Sequence, residues 1–206
     1  MKAQRRAREA AHARRMILEA AAAVFARKGF HGATLDEIAR TAGYSPPALY
    51  RYFRNKDEIF HGVMTTIGEQ FLSLFDERPP VPLRFADRLR WHLARQFQIA
   101  QQHRDLFVTF IAQRAVFEWD LRSEIGEAAH QFYVDHLRRL ADLMREGVAE
   151  GALRQGDPDD YATAFAAIVR GFVFRWLIAE RAYPLERHIE TIVALFLRGA
   201  GRQTDA

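Results

Sequence analysis

The 206-residue chain contains no cysteine. That absence excludes disulfides, a thiol nucleophile, thiol redox sensing and cysteine-ligated zinc, and it fits a reducing compartment. No apolar run approaches the 18 or more residues of a membrane span, and the basic, alanine-rich start lacks the apolar centre of a signal peptide. The expectation is a soluble, cytoplasmic protein with no membrane partner. Strand-like alternation and low-complexity runs are also missing. So are a P-loop, a dinucleotide-binding glycine turn, HExxH and G-x-S-x-G. His130, Asp135 and His136 fall close together, but at the spacing of no standard metal site. The sequence therefore points away from an enzyme: it offers no catalytic residue, metal site or cofactor.

What the chain does have is apolar surface and an uneven charge. Hydrophobic residues make up 49% of it, enough for a chain of this length to bury about 70% of its unfolded surface. Residues 1–56 carry 12 Lys/Arg against 4 Asp/Glu, a net +8, whereas the remaining 150 carry 18 against 22, a net −4. A basic N-terminal module on a mildly acidic body is the electrostatic footprint of a nucleic-acid binder with a second function. A solvated basic helix would look the same in isolation.

The decisive stretch is residues 34–56, TLDEIARTAGYSPPALYRYFRNK. Thr34 and Glu37 fit a capping box, in which hydroxyl and carboxylate satisfy each other's backbone N–H groups. The helix they open carries Leu35, Ile38 and Ala39 on one face and ends near Gly43, where a left-handed residue suits the position after a helix. Ser45-Pro46-Pro47 then reads as a second start. Proline pushes Ser45 into the extended region an N-cap needs, and prolines at the first two helical positions give up N–H groups that had no partner. Two short helices joined by a tight glycine-containing turn form a helix-turn-helix, whose second helix enters the major groove. The helix over residues 10–28, with Ile17, Ala21, Val24 and Phe25, is the third wall of a small core shared with Phe30, Ile38, Leu49 and Phe53.

The pattern G-F-x-G-A-T-x-x-x-I-A-x-x-A-G-Y-S-x-x-x-L-Y-x-Y-F-x-x-K, from Gly29 to Lys56, closely resembles the DNA-binding domain of the tetracycline-repressor (TetR) family. The resemblance covers roughly the first 60 residues, with one departure: Pro47 stands where the family usually has Gly or Ala. It implies that Thr34 receives a phosphate at the mouth of its helix and that Tyr50 and Tyr52 grip the backbone. Lys56 would add a further phosphate contact, so that Lys56→Ala flattens the salt dependence of DNA binding by about one unit. Ser45, Pro46, Pro47 and Ala48 would lie inside the groove, flanked by Tyr44 and Arg51. The partner implied is a double-stranded operator bound by a homodimeric repressor.

The body, residues 57–206, reads as all-α, so the fold class is an N-terminal three-helix helix-turn-helix domain (residues 1–56) followed by a helical domain. Helices are expected over residues 55–75, 83–102, 105–119, 123–150, 157–180 and 185–197, with Pro79, Pro80 and Pro82 marking a break. The resemblance implies that this domain binds a small effector and dimerises. Trp91, Phe97, Phe107 and Phe110, with Phe117, Phe132, Phe172 and Trp176, supply more aromatic surface than packing strictly requires, pointing to a small hydrophobic effector. Each of these rings is also an ordinary core residue in its own right. His92, His103, His130 and His136 offer polar anchors or simple surface residues. For the dimer, the last two helices present Ala164, Phe165, Ala167, Ile168 and Gly171 on one and Ile189, Ile192, Val193 and Phe196 on the other. The same residues could instead complete a monomer core.

Overall fold

The computed structural model describes residues 2–113, 124–179 and 183–201, and side chains except those of residues 2–3, 109–113 and 124–129. Among the described residues every regular element is helical: α1 (Lys2–Gly32), α2 (Leu35–Thr41), α3 (Pro46–Leu49), α4 (Lys56–Ser73), α5 (Phe85–Gln102), α6 (Arg104–Gln113), α7 (Glu124–Ala149), α8 (Pro158–Leu177) and α9 (Ile189–Ala200). A 3₁₀ turn, Leu185–His188, leads into α9. Leu153 and Gly201 form an isolated antiparallel bridge. No described helix is long and apolar enough to cross a membrane.

The chain divides into two compact units, the first made of residues 1–67 with 103–119. Its core is Ile17, Ala21, Val24 and Phe25 of α1 against Ile38, Leu49, Phe53, Ile59 and Phe60. The Phe60 ring meets Phe25 and Phe30 edge-on, each at 5.3 Å. Helix α1 begins well before the residue 10 expected from the apolar stripe. Its alanine-rich start has high intrinsic helicity, and Arg5 reaches Glu9 one turn on at 2.8 Å. At its other end Gly29 leaves helical geometry at φ 68°, ψ 173°, which a residue without Cβ does at little cost. Helix α3 is only four residues long. The chain after it turns through Arg51 N–H to Ala48 O at 3.2 Å and Tyr52 N–H to Leu49 O at 2.9 Å.

The second unit comprises residues 68–102 and 120–206. Helices α5, α7, α8 and α9 pack around Leu89, Leu93, Phe97, Leu140, Met144, Phe165, Trp176, Ile192 and Phe196. The rings of Phe165 on α8 and Phe196 on α9 lie 5.0 Å apart. Phe85 enters where Gly147 leaves room, since a Cβ on Gly147 would fall 2.5 Å from that ring. Gln101 fixes the entry to α9, accepting the Leu185 N–H and donating to Glu186, both at 2.8 Å. Arg90 of α5 holds Glu190 of α9 at 2.9 Å.

Candidate functional site

The first unit builds a helix-turn-helix from its caps upward. Thr34 is extended (φ −116°, ψ 150°) and its hydroxyl oxygen accepts the Glu37 N–H at 3.2 Å. The return half of the capping box is not made by Glu37. Its carboxylate instead takes Arg27 at 2.7 Å and Lys28 at 2.8 Å, because two cations at the end of α1 compete successfully for one carboxylate. Those bonds, Lys28 first and then Arg27, hold the Glu37 pKa below the ordinary carboxylate value. Since the Thr34 oxygen is the acceptor in its cap, the hydroxyl proton remains available to a phosphate oxygen. Thr34→Ala is expected to lower stability by about 1 kcal/mol through loss of the cap and Thr34→Ser to restore it, as denaturant titrations will read.

Gly43 occupies the left-handed region at φ 78° and turns the chain into α3. Ser45 sits at the N-cap with extended geometry but makes no side-chain cap bond. Pro46 and Pro47 bring no N–H, and the Ala48 N–H is taken by Ser45 O at 2.9 Å. The start of α3 therefore addresses a partner with side chains rather than backbone donors. Leu49 and Phe53 are buried, as a core role requires, while Tyr50 is 55% exposed and Ser45, Pro47 and Arg51 are exposed with it. Tyr44, Pro46, Ala48 and Tyr52 are half-buried. The rings of Tyr44 and Tyr52 meet edge-on at 6.2 Å. The structure thus gathers all ten DNA-binding candidates into one unit and divides them by exposure.

Two residues take partners the sequence does not suggest. Arg14, on α1, donates to the Tyr52 carbonyl and lies 4.1 Å over the Phe53 ring, bracing the turn after α3. Only its position on the helix, one turn before the buried Ile17, hinted at this. Lys56 is half-buried, and its Nζ donates to Phe30 O at 2.7 Å and Ala33 O at 3.0 Å. It also lies 4.5 Å over the Phe30 ring. The ammonium thus faces the end of α1, so a phosphate contact would have to share or displace these bonds.

The start of α4 does form a reciprocal cap. Asn55 Oδ1 accepts the Glu58 N–H at 2.8 Å while the Glu58 carboxylate accepts the Arg54 N–H at 2.7 Å.

In the second unit the candidate effector aromatics do not form one group. Phe97 and Trp176 are core, and the Trp176 indole donates to Tyr183 O at 2.9 Å. Phe172 lies 5.0 Å from the buried His188, and Trp91 is half-buried. Phe107 belongs to the first unit. The Phe110 side chain and all of Phe117 lie outside the described residues. Phe132 also lies beside a histidine, 5.7 Å from His136, and is 6.3 Å from Phe71. Phe75 joins it, 4.3 Å from His92 and 5.4 Å from His136.

Burial pushes His92 from the usual value near 6.5 down to about 3, with His136 adding to the effect. Burial alone takes His136 to about 4. Both imidazoles fold neutral, and the unfolded chain protonates first as pH falls. Stability is therefore fully present above about pH 6.5 and declines toward pH 4. For His136 the loss amounts to about 3 kcal/mol. Urea titrations at pH 7 and pH 4.5 should show a smaller difference for His136→Phe than for the parent chain.

The dimer candidates divide in the same way. Phe165, Ile192, Val193 and Phe196 are at most 3% exposed, turned into the unit's own core. Ile168 and Ile189 are half-buried, and Ala164, Ala167 and Gly171 are exposed. The face those three mark continues into Phe174 (42% exposed) and Ile178 (63%), with Leu195 (51%) exposed on α9. The spacing 164, 167, 171, 174, 178 alternates three and four residues, a single helical stripe.

Comparison with known proteins gives this geometry a context. The family profile described as "Bacterial regulatory proteins, tetR family" matches residues 17–63. The transcriptional repressor BepR of Brucella suis biovar 1 is 30% identical over 207 residues, covering 92% of each chain. SmeT, the repressor of a multidrug efflux pump of Stenotrophomonas maltophilia, solved with triclosan, is 25% identical with a TM-score of 0.69, covering 94% of this chain and 93% of SmeT. A regulator from Saccharomonospora viridis, solved with choline, has a TM-score of 0.76 at 21% identity, covering 94% of this chain and all of the other.

Proposed function

Because the chain belongs to the tetR family of bacterial regulatory proteins, we propose that it is a homodimeric repressor that binds a near-palindromic operator and leaves it when a small hydrophobic effector binds. The observation that carries the reading is the exposure of Ser45, Pro47, Tyr50 and Arg51 on and around a short helix anchored by buried Leu49 and Phe53. Arg51 is the side chain in this group suited to bidentate base contact, and the prolines suit thymine methyl groups. Thr34, Tyr44 and Tyr52 contact the backbone and set register. Residues 1–56, within the first unit, carry the reader, and the second unit acts as the effector and dimer domain.

Dimerisation is supported by the stripe on α8 and α9. A contiguous exposed apolar face of this kind marks an interaction surface, and a second copy presents a self-complementary one. Two copies place two recognition helices on half-sites about 34–36 Å apart. The effector acts by binding the DNA-incompetent arrangement better than the DNA-bound one, since equal affinity shifts nothing. A small hydrophobic effector also agrees with SmeT, which is solved with triclosan.

The test is affinity against salt for a fragment upstream of the protein's own gene and for a scrambled control. The expected result is a preference of about 10³ or more at physiological salt. Equal binding of the upstream fragment, the control and fragments selected from random sequence, with only a steep salt slope, would overturn the reading.

A further inference from the structure

Inside the second unit two imidazoles share one aromatic wall, and one solvent-shielded ring nitrogen has no hydrogen-bond partner among the described residues. His92 of α5 is buried and pairs through Nε2 with the Gln96 amide at 2.9 Å. His136 of α7 has its Nδ1 shielded from solvent and without a hydrogen-bond partner among the described residues. Both rings pack against Phe75, and Phe132 covers His136 from its own helix. Phe132 sits close to α4 because Gly68 has no side chain; a Cβ there would come within 3.1 Å of the ring. A shielded polar atom without a partner is destabilising and uncommon enough to need an explanation.

The chemistry around that nitrogen selects what would bond it. Three phenylalanines, Phe71, Phe75 and Phe132, make the surroundings apolar. Three carboxylates close to the cluster are already paired, Asp76 with Arg139 at 2.9 Å, Asp135 with Arg138 at 2.7 Å and Glu77 with Arg95 at 3.1 Å, and Glu69 of α4 is exposed to solvent. Both imidazoles are held neutral by burial. An ion entering here would lose its hydration without gaining a counter-charge. A hydroxyl both donates and accepts, so it bonds Nδ1 whichever ring nitrogen carries the proton.

We propose that this cluster binds a neutral aromatic alcohol of the phenol class, with its hydroxyl on His136 Nδ1 and its ring among Phe71, Phe75 and Phe132. The proposal rests on the reading of the second unit as an effector domain, and the experiment separates the two. Full-length protein is titrated calorimetrically with 2-naphthol, naphthalene and 2-methoxynaphthalene. The free hydroxyl should tighten binding about tenfold over both controls. His136→Phe should bring the three within about twofold, and His136→Gln, which keeps a polar group, should retain part of the preference. Circular dichroism checks that each variant is folded. With ¹⁵N-labelled histidine, the His136 Nδ1 resonance should move on adding 2-naphthol and stay in place with naphthalene, a readout that needs no mutation. Equal affinities, no binding by any probe, or a preference that survives His136→Phe would overturn the proposal. Operator release is measured separately. Binding through His136 that leaves the operator bound supports this site and counts against the effector reading, whereas release by 2-naphthol that is unchanged in His136→Phe overturns the site.

Discussion

Gly171→Arg is expected to keep the fold, convert the protein to a monomer and lower operator affinity by about 10²–10⁴, the contribution of tethering two half-site contacts. The position separates folding from assembly. Gly171 lies within α8 at an ordinary helical φ, and a Cβ built on it meets nothing within 4 Å. Any substituent thus points to open space in the single chain, and replacing a mid-helix glycine gains helix propensity of roughly 0.5–1 kcal/mol. The same openness makes the site vulnerable in a dimer. Ala164, Ala167 and Gly171 are small residues on a stripe that ends in Phe174 and Ile178, and small side chains let facing helices approach closely. An arginine there would bury a charge without a partner. Sedimentation velocity reads the assembly, thermal melting reads the fold, and operator titration reads the consequence. If the variant sediments as a dimer and holds the operator as tightly as the parent, the α8–α9 stripe is not the interface.

The helices were legible in the sequence wherever a periodic stripe met a chemical stop. Thr34, Gly43, Asn55 with Glu58, and Asp157 before Pro158 act as local signals because a cap needs only its own turn, and each has its expected geometry. The partner of Glu37 was not legible. The capping box treats the carboxylate as a local group, whereas Arg27 and Lys28 reach it from the preceding helix. Helix α8 shows a deeper limit. Apolar residues surround most of it, so periodicity alone does not decide which face turns inward. Packing chose Phe165 and Trp176 for the core and left Phe174 and Ile178 outside. The sequence counted Phe165 and Phe196 among the dimer residues beside Ala164, Ala167 and Gly171, and within the single chain packing buries them against each other.

The candidate residues differ for the same reason. The reader is contiguous in sequence, so its exposed and buried members fall out of one short motif. The histidine and phenylalanine cluster is not, because Phe75, His92 and His136 come from three separate segments that meet only through the packing of α5 and α7. Composition registers a surplus of aromatics without saying which of them share a wall.

Lys56→Met is expected to lower stability by about 1.5–3 kcal/mol, the range for hydrogen bonds to a charged group, while leaving the salt slope of operator binding unchanged. Methionine keeps an apolar stem over the Phe30 ring and removes only the charge. What is lost is the bond from Nζ to the carbonyls of Phe30 and Ala33, groups at the end of α1 where a cation is favoured by the helix dipole. Those bonds tie the first residue of α4 to the segment immediately before Thr34, so the lysine positions the N-cap of α2 from behind. The resemblance predicts a different pattern: a phosphate-bound Lys56 would contribute little to stability and about one unit to the salt slope. Urea titration and operator affinity at several salt concentrations, on the same variant, distinguish the two. A stable variant with a flattened slope would mean that Lys56 leaves the carbonyls for DNA. A destabilised variant with an unchanged slope would mean that its charge is spent inside the reader, holding α1, α2 and α4 in the register that presents Thr34 and Tyr50 to a partner.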